Sequence, residues 1–302
     1  MRAPSSESPL VSIVLPTYNR SHCIHRAIKS VIEQTFADWE LIIVDNSSTD
    51  TTLKIISTFS DERIFTFNIH NNGIVAKSRN LGIQLSRGKY IALLDSDDWW
   101  ATEKLEIALR QLELGSDVVY HDLYSISKLP AVEKKHLRVA TRVLNSPVFI
   151  DLLTNGNALA NSSVVVRRNL LEEIGGFSEE KDLVGSEDFD GWMRISKLTD
   201  QFYKLEPILG YYWSGGGNLT SAKTILANNL FLSYRYQKEL NNTLGEKLPG
   251  WMLYSLARAS VSLGKNTDGR RYALLSVRSK LPYTVKVKAG IVWLMSFVKF
   301  WD

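Results

Sequence analysis

The chain has 302 residues, 44% hydrophobic and 23% charged, the balance of an ordinary globular protein with a sizeable core. Its net charge of +4 hides an asymmetry: residues 216–302 hold 13 Lys and Arg against 4 Asp and Glu (+9), and the preceding residues hold 23 against 28 (−5), a pattern of two functional halves. A single cysteine, Cys23, excludes an internal disulfide and fits a reducing compartment. The opening MRAPSSESPL lacks the apolar stretch of a signal peptide, and the longest apolar run, AGIVWLMSFV at 289–298, is about half of the roughly 18–20 residues a membrane span needs.

In chain order, VSIVLPT (11–17) is a short apolar, β-branched run and predicts a buried parallel strand. A helix follows, with Ile24, Ala27, Ile28, Val31 and Ile32 on one face. ELIIVD (40–45) predicts a second strand, and NSSTD supplies capping residues for the helix TTLKIISTF. RIFTFNI (63–69), VAKSRNLGIQL and YIALLD (90–95) continue as strand, helix and strand. This alternation with short loops predicts an α/β domain around a mostly parallel sheet, whose ligand crevice lies at the strands' carboxyl ends. Those ends are Pro16–Asn19, Asp45–Ser48 and Asp95–Asp98.

Beyond Trp100 a helix (102–114) and one strand, DVVYHDLYSI, lead into a polar, basic stretch at 127–145 that is expected to be a mobile excursion. SPVFIDLLTN, LLEEIGG and SEDFDGWMRISK predict helices, SSVVVRR a strand, and YKLEPILGYYWS a strand pair. WSGGGNLTS breaks the chain and marks a boundary between domains 1–215 and 216–302. The second domain is expected to be helical over 222–241, 246–263, 268–279 and 284–300, the middle two forming a hairpin.

The chemistry concentrates in IALLDSDDWW, residues 91–100. Asp and Ser are good turn formers, and many acidic turns are only that. Here an apolar strand drives three carboxylates in four positions into the crevice, where their mutual repulsion calls for a cation. All-oxygen ligands suit Mg²⁺ or Mn²⁺, the usual means of neutralising a diphosphate. His22, Cys23 and His25 lack the further ligands of a metal site and read as structural.

VSIVLPTYNR, LIIVDNSSTD and NNGIVAKSRNLGIQLSRGKYIALLDSDDWWATEKL, in that order, resemble the nucleotide-sugar-binding half of family 2 inverting glycosyltransferases. SEDFDGWMR (186–194) resembles the same family's acidic acceptor-site motif, so the likeness runs from residue 10 to about 215. The resemblance implies a GT-A fold with a small α-helical C-terminal domain. It implies metal binding by Asp97 with help from Asp95, and a donor site built from Pro16, Thr17, Tyr18, Asp45, Asn46, Arg79, Asp95, Asp98 and Glu187. It gives Asp188 the role of catalytic base. The implied reaction transfers a hexosyl or N-acetylhexosaminyl group, with inversion, from a nucleoside-diphosphate sugar to a glycan or lipid-linked glycan, as in O-antigen, capsule or lipopolysaccharide assembly. Two departures stand out. Asn46 replaces a second acid common among users of uridine nucleotides, although a UDP-sugar remains the expected donor. The 213–221 loop also lacks the late histidine some members place near the metal, and its three glycines suit either a closing loop or a plain linker.

Two other activities compete: a sugar-nucleotide nucleotidyltransferase, and a non-catalytic nucleotide- or glycan-binding protein of the same fold. PTYNRSHC lacks the Gly-rich, basic phosphate loop of the first, and Asp97 and Asp188 argue against the second. The basic tail carries no nucleic-acid motif. Arg270, Arg271, Lys286 and Lys288 interleave with Trp293, Phe297 and Trp301, which suits either core packing or a helix lying on an anionic membrane surface. The enzyme is therefore expected in the cytoplasm, at the inner face of the membrane.

Overall fold

The computed structural model describes residues 8–128, 137–216, 221–245 and 247–297. The elements run β1 (Val11–Thr17), α1 (Ile24–Ile32), β2 (Trp39–Asp45), α2 (Thr52–Ile56), β3 (Ile64–Asn68), α3 (Val75–Leu85), β4 (Tyr90–Leu93), β5 (Trp99–Trp100) and α4 (Lys104–Glu113). They continue with β6 (Val118–His121), β7 (Leu123–Ile126), β8 (Leu137–Val139), α5 (Val148–Asn155), β9 (Val165–Arg167), α6 (Arg168–Glu173), α7 (Glu187–Ile195), β10 (Phe202–Leu205) and β11 (Gly210–Trp213). The chain ends in α8 (Ala222–Arg235), α9 (Gln237–Leu244), α10 (Gly250–Ser262), α11 (Asn266–Arg278) and α12 (Tyr283–Met295).

A seven-stranded sheet has the order β10-β6-β9-β4-β1-β2-β3. Its strands pair in parallel except for β9, which runs antiparallel to β4 and β6. β1 and β2 are buried along their whole length, as their unbroken apolar runs require. β4 pairs with β1 only as far as Val14 and Leu93, short of Pro16, which has no N–H to contribute. α1 seals one face by burying Ile24, Ala27, Ile28 and Val31. α3 comes so close to β1 that a Cβ on Gly82 would meet Val14 Cγ1 at 2.5 Å. A second sheet of order β5-β11-β7-β8 begins directly after the acidic turn.

Three local expectations change. DVVYHDLYSI is two strands, because the chain leaves the large sheet after His121 and enters the small one at Leu123. YKLEPILGYYWS yields β10 and β11 in different sheets, since β10 finds β6 and β11 finds β5 and β7. The helix expected over 222–241 is broken at Tyr236 into α8 and α9. Within the polar excursion, Leu137–Val139 forms β8 against β7, and 129–136 lie outside the described residues.

The chain divides into two compact units. The first is Met1–Leu144, Ala158–Glu179 and Arg194–Asn218, and it holds both sheets. The second is Asn145–Asn157, Glu180–Met193 and Leu219–Asp302. A cut at residue 216 leaves the segments around α5 and α7 with the α/β half, but their own contacts tie them to the helices. Trp251 Nε1 donates to Leu153 O (3.1 Å) and packs edge-on against Phe189. Tyr236 Oη donates to the buried Asp190 carboxylate (2.7 Å), and Asn228 Nδ2 donates to Ser186 Oγ (2.9 Å).

Candidate active site

Three loops meet at the carboxyl ends of β1, β2 and β3, and side-chain hydrogen bonds lace them together. Asp45 is fully buried and accepts from Ser48 N (2.7 Å) and Ser48 Oγ (2.5 Å), closing the loop after β2. Ser48 Oγ accepts from Asn19 N (2.9 Å), and Asn19 Oδ1 accepts from Thr49 N (2.8 Å), joining the first loop to the second. Asn46 Oδ1 accepts from Asn71 N (2.7 Å), joining the second to the third. Asn19, Ser47 and Asn72, one in each loop, sit at φ of 50°, 54° and 55°, a left-handed region that side chains seldom adopt. Such conformations persist only where surrounding contacts hold them. Pro16 and Thr17 end β1 inside this lattice, and Tyr18 beside them is 50% exposed, its ring free to stack.

The turn after β4 separates its three carboxylates. Arg79, buried on α3, forms an ion pair with Asp95 at 2.7 Å, and Asn161 Nδ2 donates to the same oxygen at 3.1 Å. Asp97 lies 3.7 Å from Arg20 Nη2. Burial, with the charge of Asp95 second, pushes its carboxyl above the usual range. Asp98 points inward: it is 2% exposed and accepts from Ser162 Oγ (2.6 Å) and Trp213 N (2.8 Å). Burial, then Asp95 and Asp97, raise it well above the ordinary carboxylate range. Ser162 is the hub here, for its hydroxyl also accepts from Asp95 N and its carbonyl from Trp100 Nε1.

Several residues around this turn escaped the sequence reading. Arg26 donates to the Asp97 carbonyl (2.7 Å) and lies 3.7 Å over the Trp99 ring. With Arg20 and Arg79 it sets three guanidinium groups about three carboxylates. The Tyr212 hydroxyl is pushed up by burial and by the nearness of Asp98, Asp97 and Asp95. Arg20 directly follows PTYN and was within reach of motif reading; Asn161, Ser162 and Trp213 arrive from distant sequence and carried no local signal. Cys23 is buried, and its thiol is pushed up to about 11, chiefly by that burial.

In the second unit, Glu187 and Asp188 open α7. Glu187 is buried and accepts from Gly185 N (2.6 Å). Asp188 is half-buried, its Oδ1 accepts from Phe189 N (2.7 Å), and it lines a cavity of about 260 Å³. Asp190 is fully buried, between Tyr236 and Arg235. Of the three acids, Asp188 alone reaches both cavity and solvent. Residues 217–220 of the triple-glycine loop lie outside the described residues.

The glycosyl transferase family 2 model matches residues 12–175, more than half of the chain. TuaG of Bacillus subtilis (strain 168), named as a candidate teichuronic acid biosynthesis glycosyltransferase, is 29% identical over 236 residues, covering 77% of this chain and 90% of that protein. The Escherichia coli UDP-Glc:alpha-D-GlcNAc-diphosphoundecaprenol beta-1,3-glucosyltransferase WfgD is 31% identical over 188 residues, covering 62% and 70%. Among solved structures, S. aureus TarS 1-349 in complex with UDP-GlcNAc aligns with a TM-score of 0.57 at 20% identity, covering 94% of this chain and 89% of that one. The mannosyltransferase PcManGT from Pyrobaculum calidifontis, in complex with GDP-Man and Mn²⁺, aligns at 0.57 and 16% identity, covering 97% and 82%. At such identities these two likenesses speak to the GT-A fold alone. The family match sets aside the nucleotidyltransferase and the non-catalytic binder. The chain belongs to glycosyltransferase family 2, and it is a glycosyltransferase.

Proposed function

We propose that this enzyme moves one sugar from a nucleoside-diphosphate donor, a UDP-sugar, to a hydroxyl of a lipid-linked or other surface glycan, with inversion and with Mg²⁺ or Mn²⁺. The observation that carries the reading is the pair Asp95 and Asp97 among guanidinium groups, at the carboxyl ends of the parallel strands. WfgD is named for a UDP-Glc donor and a diphosphoundecaprenol-linked acceptor, which supports the choice of both substrates.

The donor set fits a hard divalent cation: it is oxygen only, and burial, with the charge of Asp95 second, raises the cost of ionising Asp97. Among the described residues no group of three or more His, Cys, Asp or Glu is placed to hold a metal ion, so an ion here would rest on Asp97 and Asp95. Asp97, with Asp95, would hold the ion, which when bound neutralises charge on the leaving diphosphate. The chain's own residues do the rest. Tyr18 stacks on the base, the laced loops hold the nucleotide, and Arg79 keeps Asp95 oriented. Asp188 accepts the proton of the attacking acceptor hydroxyl as its oxygen approaches the anomeric carbon from the face opposite the leaving group.

The acceptor's lipid anchor gives the basic C-terminal helices a partner, an anionic membrane surface at the inner face of the cytoplasmic membrane. No helix among the described residues is long and apolar enough to cross a membrane. Thermal denaturation against a panel of UDP-, GDP- and dTDP-sugars, with and without Mn²⁺, tests the donor reading. A Mn²⁺-dependent rise in Tm with at least one UDP-sugar is expected. A flat response to every donor would refute it.

A further inference from the structure

The geometry points to the cavity beside Asp188 as a binding site for one neutral sugar ring of the acceptor, packed on Trp251 and read by Asn229. This rests on Asp188 being the base, and it assigns the helical unit a substrate-recognition role.

The wall combines Phe189 and Trp251 with Leu232 and the polar side chains of Asn229 and Ser255. A pyranose ring has the matching surface: C–H faces that lie flat on an aromatic ring, and a rim of hydroxyls that seek amide and hydroxyl partners. The indole is held in one orientation. Its Nε1 donates to Leu153 O (3.1 Å), Phe189 meets it edge-on at 5.5 Å, and a Cβ on Gly156 would come within 3.0 Å of Cδ2. A ring fixed in advance costs little entropy on binding.

Asn229 supplies the independent observation. It is 5% exposed, and its Nδ2 donates to Ile225 O (2.7 Å) and Ser255 Oγ (3.0 Å). Its Oδ1 is buried without a hydrogen-bond partner. A buried acceptor left unmet is costly, and Asn229 belongs to the cavity wall, where a ligand hydroxyl would relieve it after a small side-chain adjustment. Charge narrows the class further. The lining contains no Lys, Arg or His, and its one ionisable group is Asp188. Such a wall disfavours phosphate, nucleotide or uronate and accepts a neutral ring. The volume of about 260 Å³ lies below the roughly 300–1,000 Å³ of sites for drug-sized ligands, and suits one monosaccharide unit.

The test is saturation-transfer NMR on the full chain with a panel of neutral p-nitrophenyl hexopyranosides, and separately with UDP and Mn²⁺. At least one glycoside should bind the wild type. Trp251→Ala and Asn229→Leu should each weaken it tenfold or more, with UDP binding unchanged. Trp251 also supports its neighbours, so Asn157→Trp, at an exposed position on the rim, serves as a plug that keeps Trp251 in place; it should abolish glycoside binding. Absence of glycoside binding in the wild type, or undiminished binding in Asn157→Trp, would overturn the assignment. Loss of UDP binding in the wild type would instead sink the donor reading and leave the glycoside result to judge the cavity.

Discussion

Three aspartates within four residues take three different sets of partners, and none of those partners lies in the local sequence. Asp95 is held by Arg79 and Asn161, Asp97 lies 3.7 Å from Arg20, and Asp98 ties the turn to Ser162 and Trp213. The DSDD spacing and the strand feeding it were legible, and so was the crevice. The inward turn of Asp98 was not, because its partners lie 64 and 115 residues away along the chain. Asp97→Asn should therefore abolish the Mn²⁺-dependent rise in Tm produced by donor while leaving the unliganded Tm within a degree or two. Asp98→Ala should do the reverse. It strands the Ser162 hydroxyl and Trp213 N–H, costing about 2–3 kcal/mol in urea denaturation. Equal stability of the two variants would contradict this division. The same contrast separates Glu187 and Asp190, both buried, from Asp188.

Strands and helices with continuous apolar or 3.6-period patterns were readable, because burial on one or both faces writes those patterns directly. The break between β6 and β7 was hidden, since VVYH and LYSI read as one run and only the second sheet distinguishes them. A buried lysine was equally hidden. Lys104 on α4 is 0% exposed, sits 3.6 Å over the Trp100 ring, and its Nζ has no hydrogen-bond partner. Burial lowers its amine well below 10.5, and beside it burial lowers His121 to about 3. In both cases the unfolded chain binds the proton more readily, so stability falls as pH drops through the ordinary value toward the depressed one. For His121 that loss runs from about 6.5 down to about 3. For Lys104 the loss is already in force at pH 7. Lys104→Met should thus stabilise the protein at pH 7 by about 1–3 kcal/mol. The gain should shrink as pH rises toward 10. A destabilised variant at pH 7 would mean that the ring contact with Trp100 outweighs the desolvation of the amine.

At the scale of the whole molecule, the two compact units interleave along the chain and no cut at one residue separates them, whereas the helical C-terminal region was legible in the sequence. Its outward face was not, because apolar residues at helical spacing describe a core and a membrane-facing surface equally well. α12 turns Ala289 and Ser296 inward and leaves Tyr283, Val287, Ile291, Leu294 and Met295 exposed. Lys286 and Lys288 flank that face, and residues 265–297 hold seven Lys and Arg against Asp268 alone. Vesicles of phosphatidylglycerol should therefore sediment the protein at low salt, neutral phosphatidylcholine vesicles should not, and Ile291→Asp with Leu294→Asp should release it. Retention by neutral vesicles, or by the double variant, would exclude this face as the membrane contact. Both units enter the central claim, which is metal-dependent transfer with Asp188 as the base. The most direct measurement follows sugar transfer and donor binding together in the wild type and in Asp188→Asn, with a UDP-sugar, Mn²⁺ and a lipid-linked acceptor. Donor binding should be unchanged, and transfer should fall by about 10²–10⁴-fold. Transfer by Asp188→Asn at the wild-type rate would contradict the account.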